Sequence, residues 1–184
     1  MCSSGLLKKY LNGNKIDNLF INAHGNSITY SYEDGTFADF ASGVKLGDIF
    51  ISGRTLQLYS EGKFDELNDF HKGAVNAISA LDDISKMMNT NSNLIFGSCF
   101  SGNEHRFGEF ISQMNPQMNV FASGDGYYIE HNQKSKKTSF ANFSNYAIRR
   151  EDFEIGMRRY RSGRLIDEGF NIKINNKNGI SIFK

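Results

Sequence analysis

The chain contains no tryptophan, one proline and only two cysteines among its 184 residues. Two cysteines form at most one bridge, which excludes a small domain stapled by disulfides. No run approaches the roughly 18 consecutive apolar residues of a membrane helix, and no signal peptide is legible, so the expected protein has no membrane span and is soluble, either cytoplasmic or a secreted effector. Charge of one sign is also lacking, with 21 Lys and Arg against 20 Asp and Glu. That balance implies neither nucleic acid nor an anionic membrane as partner. Repeats and low-complexity tracts are absent too. What is plentiful is Asn, Phe, Ile and Ser, a bias expected of a bacterial coding sequence. Residues 1–184 are long enough for one domain with a substantial core, whole or cut from a longer protein, and short for two.

Two apolar runs stand out. Asn18-Leu-Phe-Ile-Asn-Ala-His24-Gly25 and Asn93-Leu-Ile-Phe-Gly-Ser-Cys99 each read as a buried strand that stops among small residues. Asn119-Val-Phe-Ala-Ser123 reads as a third, ending in Gly124-Asp125-Gly126. Apolar positions from Phe64 to Met88 recur at gaps of three and four, the stripe of one long amphipathic helix. Phe107, Phe110, Ile111 and Met114 mark another, expected to begin near Asn103 and closed by Asn115-Pro116. Strand, helix, strand, helix, strand with right-handed crossovers predicts an α/β fold with a mostly parallel sheet.

Shorter elements are expected around this frame. Leu6 to Leu11 suggests a short helix, Ile28 to Tyr32 one arm of a hairpin, and Val44 to Ile51 and Thr55 to Tyr59 extended segments. Met157 to Tyr160, Phe170 to Ile174 and Ile180 to Phe183, separated by Gly-containing turns, form a small antiparallel C-terminal appendage.

A parallel sheet places its chemistry at the carboxyl edge, where His24 and Cys99 both fall. A thiol there becomes a nucleophile when a base takes its proton, and the start of the following helix favours a thiolate. Taken alone, Cys99 reads equally as a small core hydrophobe and His24 as a structural residue. Together, each ending an apolar strand beside glycine, they read as nucleophile and base. The amides of Gly25 and Cys99 are the candidate oxyanion donors, since glycine lets backbone approach substrate closely.

Strand-His-Gly followed much later by strand-small-Cys-x-Ser-Gly resembles the paired blocks of the caspase-like cysteine peptidases, a group that includes caspases, metacaspases, legumain, clostripain, gingipains, toxin self-processing domains and CHAT proteases. The order, histidine before cysteine, is theirs and not that of papain-like enzymes. The resemblance covers roughly residues 18–125. It implies a caspase-like sheet flanked by helices, His24 as general acid/base, Cys99 as nucleophile, Gly25 and Cys99 as oxyanion amides, and a peptide or protein substrate cut without a cofactor. Gly97 stands where some Arg-specific relatives carry an acid. Only 17 residues precede Asn18, fewer than the strand-helix-strand unit usual before the histidine, and the 75-residue spacing (99 minus 24) implies a β insertion between Ile28 and Tyr59.

Gly97, Ser123 and Asp125 are the candidate substrate-binding residues. Asp125 reads as an acidic floor for an Arg or Lys side chain or simply as part of a turn. His71 falls on the helical stripe, and His105 and His131 share no ligand spacing with Cys99, so no metal is expected. Lys134, Lys136 and Lys137 form a basic run read as solvated or as a processing loop. Cys2 is a stray thiol near the start or the scar of a lipoprotein signal. The functions expected are a cysteine endopeptidase, an autoprocessing or effector protease module of a larger protein, or an inactive caspase-like binding module.

Overall fold

Leu94, Ile95 and Phe96 are all fully buried, although neighbours along a strand point to opposite faces of a sheet. A continuous apolar run of this kind requires cover on both faces. Leu94 and Phe96 belong to one core cluster and Ile95 to another. The computed structural model that shows this describes residues 11–28, 41–70, 73–99, 101–102, 106–124, 127–132, 137–142, 156–175 and 179–184.

The central strand is β5, Met88–Gly97. It pairs in parallel with β1, Ile16–Asn22, on one side, and with β6, Asn119–Ser123, on the other. Asn18, Asn93 and Asn119 lie in register and their amides form a ladder: Asn93 Nδ2 donates to Asn18 Oδ1 at 2.7 Å and Asn119 Nδ2 to Asn93 Oδ1 at 3.1 Å. Beyond β6 the sheet becomes mixed, because β9, Met157–Arg161, runs antiparallel to it. The expected parallel core is therefore three strands wide, and the C-terminal strands extend the main sheet through β9.

β10, Arg164–Asn175, pairs with β9 along its first part and with β8, Lys137–Asn142, and β11, Gly179–Phe183, along its last. Irregular pairing within Leu165–Phe170 and a positive φ of 89° at Gly169 mark where it leaves one sheet for the other. β7, Tyr127–Asn132, completes this antiparallel layer by pairing with β8. Ile172, Ile174, Ile180 and Ile182 join Ile95, Phe121 and Phe20 in one apolar cluster.

The other face carries the described helices. The expected extended segment Thr55 to Tyr59 is helical instead, within α1, Gly53–Ser60. Ser52 accepts from Thr55 N through Oγ while its own N–H donates to Thr55 Oγ1 at 2.8 Å. This reciprocal cap outweighs the alternating pattern that suggested a strand. The long stripe from Phe64 to Met88 is broken into α2, Phe64–Phe70, and α3, Ala74–Ser85, with Gly73 at φ 86° before the second. Met88 belongs to β5. α4, Arg106–Met114, buries Phe107 edge-on against Phe96, ring centroids 5.0 Å apart, and its expected start near Asn103 lies outside the described residues.

Between β1 and α1 lies a small antiparallel sheet of β2, His24–Ile28, β3, Ala41–Leu46, and β4, Ile49–Ser52. The hairpin expected after the histidine thus begins at the histidine itself. The expected helix from Leu6 falls outside the described residues except for Leu11, as does most of the Ile28 to Tyr32 arm.

Candidate active site

β1 and β5 end together. Asn22 pairs with Gly97, and one residue later the Ala23 N–H donates to the Gly97 carbonyl at 3.3 Å. Next in each chain come the residues of interest: His24, first of β2 and exposed, and Cys99, half-buried in the turn after Ser98. His24 lies opposite Lys45 in the antiparallel pair with β3, so the chain swings out of the main sheet at this residue.

The two segments touch through their backbones. A Cβ on Gly25 would stand 2.0 Å from the Cys99 carbonyl oxygen and 2.8 Å from its nitrogen. Only a residue without a side chain permits this approach, because both neighbours are main chain and neither can rotate away. Among the expected site residues, His24, Gly25, Gly97 and Cys99 are therefore gathered at one carboxyl edge.

Ser123 ends the next strand and is fully buried. Its backbone serves the cysteine turn: the Gly102 N–H donates to the Ser123 carbonyl at 2.6 Å, and the Ser123 N–H donates to Ser101 Oγ at 3.2 Å. Ser101 Oγ donates in turn to the Ser98 carbonyl at 3.0 Å, closing the turn that carries Cys99. Asp125, His71, His105, Lys134 and Lys136 lie outside the described residues, as do the side chains of His131 and Lys137.

Two residues that sequence reasoning missed meet this turn from β9. Arg158 Nη1 donates to the Gly102 carbonyl at 2.8 Å, and the Tyr160 hydroxyl donates to the same oxygen at 3.0 Å. The Arg158 guanidinium lies against Gly124 and donates from Nε to Glu168 Oε2 at 3.3 Å. Burial pushes the Tyr160 phenol far above its ordinary range, so it stays protonated and keeps its hydrogen for donation. The alternation of Arg158 and Tyr160 along a short strand signals only that they share a face, since i and i+2 do, and not what that face meets.

A surface cleft lined by Leu11, Asn14, Lys15, Asp83 and Lys86 lies at the start of β1 and β5, the end away from Cys99, and gathers no nucleophile. Among the described residues, no three His, Cys, Asp or Glu side chains gather as a metal centre requires. No described helix is long and apolar enough to cross a membrane. Comparison with protein-family models, with curated proteins and with solved structures finds no match to this chain.

Proposed function

We propose that the protein is a cysteine endopeptidase of caspase-like type, with Cys99 as nucleophile and His24 as its base. The observation that carries this reading is the backbone contact between Gly25 and Cys99 at the carboxyl ends of two adjacent parallel strands. It makes Gly25, next to His24, a backbone neighbour of Cys99, which supports the reading because acyl transfer needs a thiol, an imidazole and oxyanion amides in one place.

In the proposed reaction the imidazole of His24 takes the thiol proton and Cys99 Sγ bonds to the scissile carbonyl carbon. The oxygen becomes negative and is met by the amides of Gly25 and Cys99. Collapse breaks the C–N bond, and the proton held by His24 passes to the leaving amine. Water then attacks the acyl-thioester, giving one proton to His24, and the thiolate leaves with the carboxylic acid as product.

The test is cleavage of a peptide library by the wild type and by Cys99→Ala, together with labelling by an acyloxymethyl ketone. Turnover that vanishes in the variant, with labelling at Cys99 and not at Cys2, supports the endopeptidase. Labelling without turnover on any peptide removes it and favours an inactive binding module. Cleavage confined to the protein's own chain would place it among autoprocessing modules.

A further inference from the structure

The Gly102 carbonyl is the terminus of the turn that carries Cys99, and two side chains from a strand more than 50 residues away converge on it. A backbone carbonyl has two lone pairs, and here both find donors: one charged, from Arg158, and one neutral, from Tyr160. Neither donor is a flexible surface group. Tyr160 is fully buried, its ring pressed against Gly108 of α4, and the Arg158 side chain is 11% exposed with its Nε held by Glu168. The amide side of the same residue is also fixed, by Ser123. Gly102 is thus tied through both its polar atoms, and a Cβ on it would stand 2.6 Å from the Ala122 carbonyl oxygen.

We infer that Arg158 and Tyr160 are positioning residues for the Cys99 turn, acting through the Gly102 carbonyl to hold the Cys99 amide where an oxyanion develops. The inference rests on the peptidase reading given above. A stabiliser of this kind acts on the transition state, because an amide displaced by a fraction of an ångström still admits substrate but meets the developing charge poorly. The thiol itself is not what the clamp holds. Alkylation of Cys99 by a small reagent uses no oxyanion donor and so is insensitive to it.

The experiment measures kcat and KM on a cleavable peptide, the iodoacetamide rate at Cys99 and the melting temperature. It compares the wild type with Tyr160→Phe, Arg158→Met, Arg158→Lys and the Tyr160→Phe/Arg158→Met pair. Tyr160→Phe keeps the ring and loses one donor, so it probes the hydrogen bond without opening a cavity. Expected is a fall in kcat of roughly 10- to 100-fold per donor with KM within about twofold, an iodoacetamide rate near that of the wild type, and partial recovery in Arg158→Lys. An active wild type whose kcat survives in Tyr160→Phe and Arg158→Met overturns the inference alone. So does a loss of kcat matched by equal losses of thiol reactivity and folded fraction, which marks a purely structural role. A wild type without thiol-dependent turnover removes the peptidase reading and this inference with it.

Discussion

The Tyr160 ring occupies the space that a side chain on Gly108 would need: a Cβ there would lie 2.4 Å from ring carbons Cδ2 and Cε2. This fit lets α4 lie close on β9 and lets the phenol reach past the helix to Gly102. Gly108→Ala is therefore expected to destabilise the fold by roughly 1–3 kcal/mol, the usual cost of overpacking, even though alanine is the better helix former. Denaturant midpoints check this. Combining Gly108→Ala with Tyr160→Leu should cost less than the sum of the two, because the smaller side chain vacates the contested space.

Gly25→Ala is expected to be the most damaging single-atom addition at the site. The added methyl meets main chain on the cysteine side, so the two segments must separate by an ångström or more. Turnover should fall on the order of 100-fold or beyond, since displacement of that size misaligns base and nucleophile. Steady-state kinetics on a peptide substrate, beside the iodoacetamide rate, would show it. Wild-type turnover in Gly25→Ala would mean the contact has no part in catalysis.

Cys99→Ala should abolish hydrolysis and leave the melting temperature within a few degrees of the wild type, because Cys99 sits in a turn and is only half-buried. Cys2→Ala should leave activity unchanged. If Cys99→Ala unfolds while Cys99→Ser remains active, the cysteine is a packing residue.

Asp125 carries the expectation for specificity. If the Gly124-Asp125-Gly126 turn lines the cleft, a carboxylate there prefers a cationic side chain before the scissile bond, most strongly arginine through a paired hydrogen bond. Asp125→Ala should then lower cleavage after Arg and Lys far more than after Leu. Equal losses on every peptide would assign Asp125 to the turn.

At the far end of the chain, the Lys184 ammonium contacts Asp167 at 2.6 Å and holds its carboxyl below the usual range, with the Glu168 N–H helping. A carboxyl lowered on folding stabilises the native state above its unfolded pKa, and this support is lost as pH falls through the lowered folded value. The difference in melting temperature between wild type and Lys184→Ala should therefore be open at pH 7 and close below about pH 4. Both groups are solvent-exposed, so the difference should be small and shrink further in salt.

The parts of this fold legible in the sequence are those set by short-range pattern. Leu94-Ile95-Phe96 and Val120-Phe121-Ala122 announced strands because burial on both faces leaves an unbroken apolar run. The small residues that follow Phe96 mark the edge at Cys99, as Gly25 after the Leu19–Ile21 run marks it at His24. Thr55-Leu-Gln-Leu-Tyr59 has the alternation of a strand, while its helix is set by a cap at Ser52, three residues before the alternating stretch. The break at Gly73 was hidden by apolar spacing that continues across it. Arg158 and Tyr160 could not be assigned to the cysteine turn from pattern at all, since their partner depends on which strand lies beside β6. That order is decided by the packing of the whole sheet.

β10 is a member of two sheets at once. Its opening residues complete the layer on which α4 rests, and its closing residues anchor the isoleucines that roof Ile95 and Phe121. A crack cannot stop between the layers, because the same backbone is the last plank of one and the first of the other. Peeling β11 away uncovers the underside of β5, the strand that leads into Cys99. Damage at the C-terminal end is thereby transmitted to the edge that carries Cys99 without any residue there being touched.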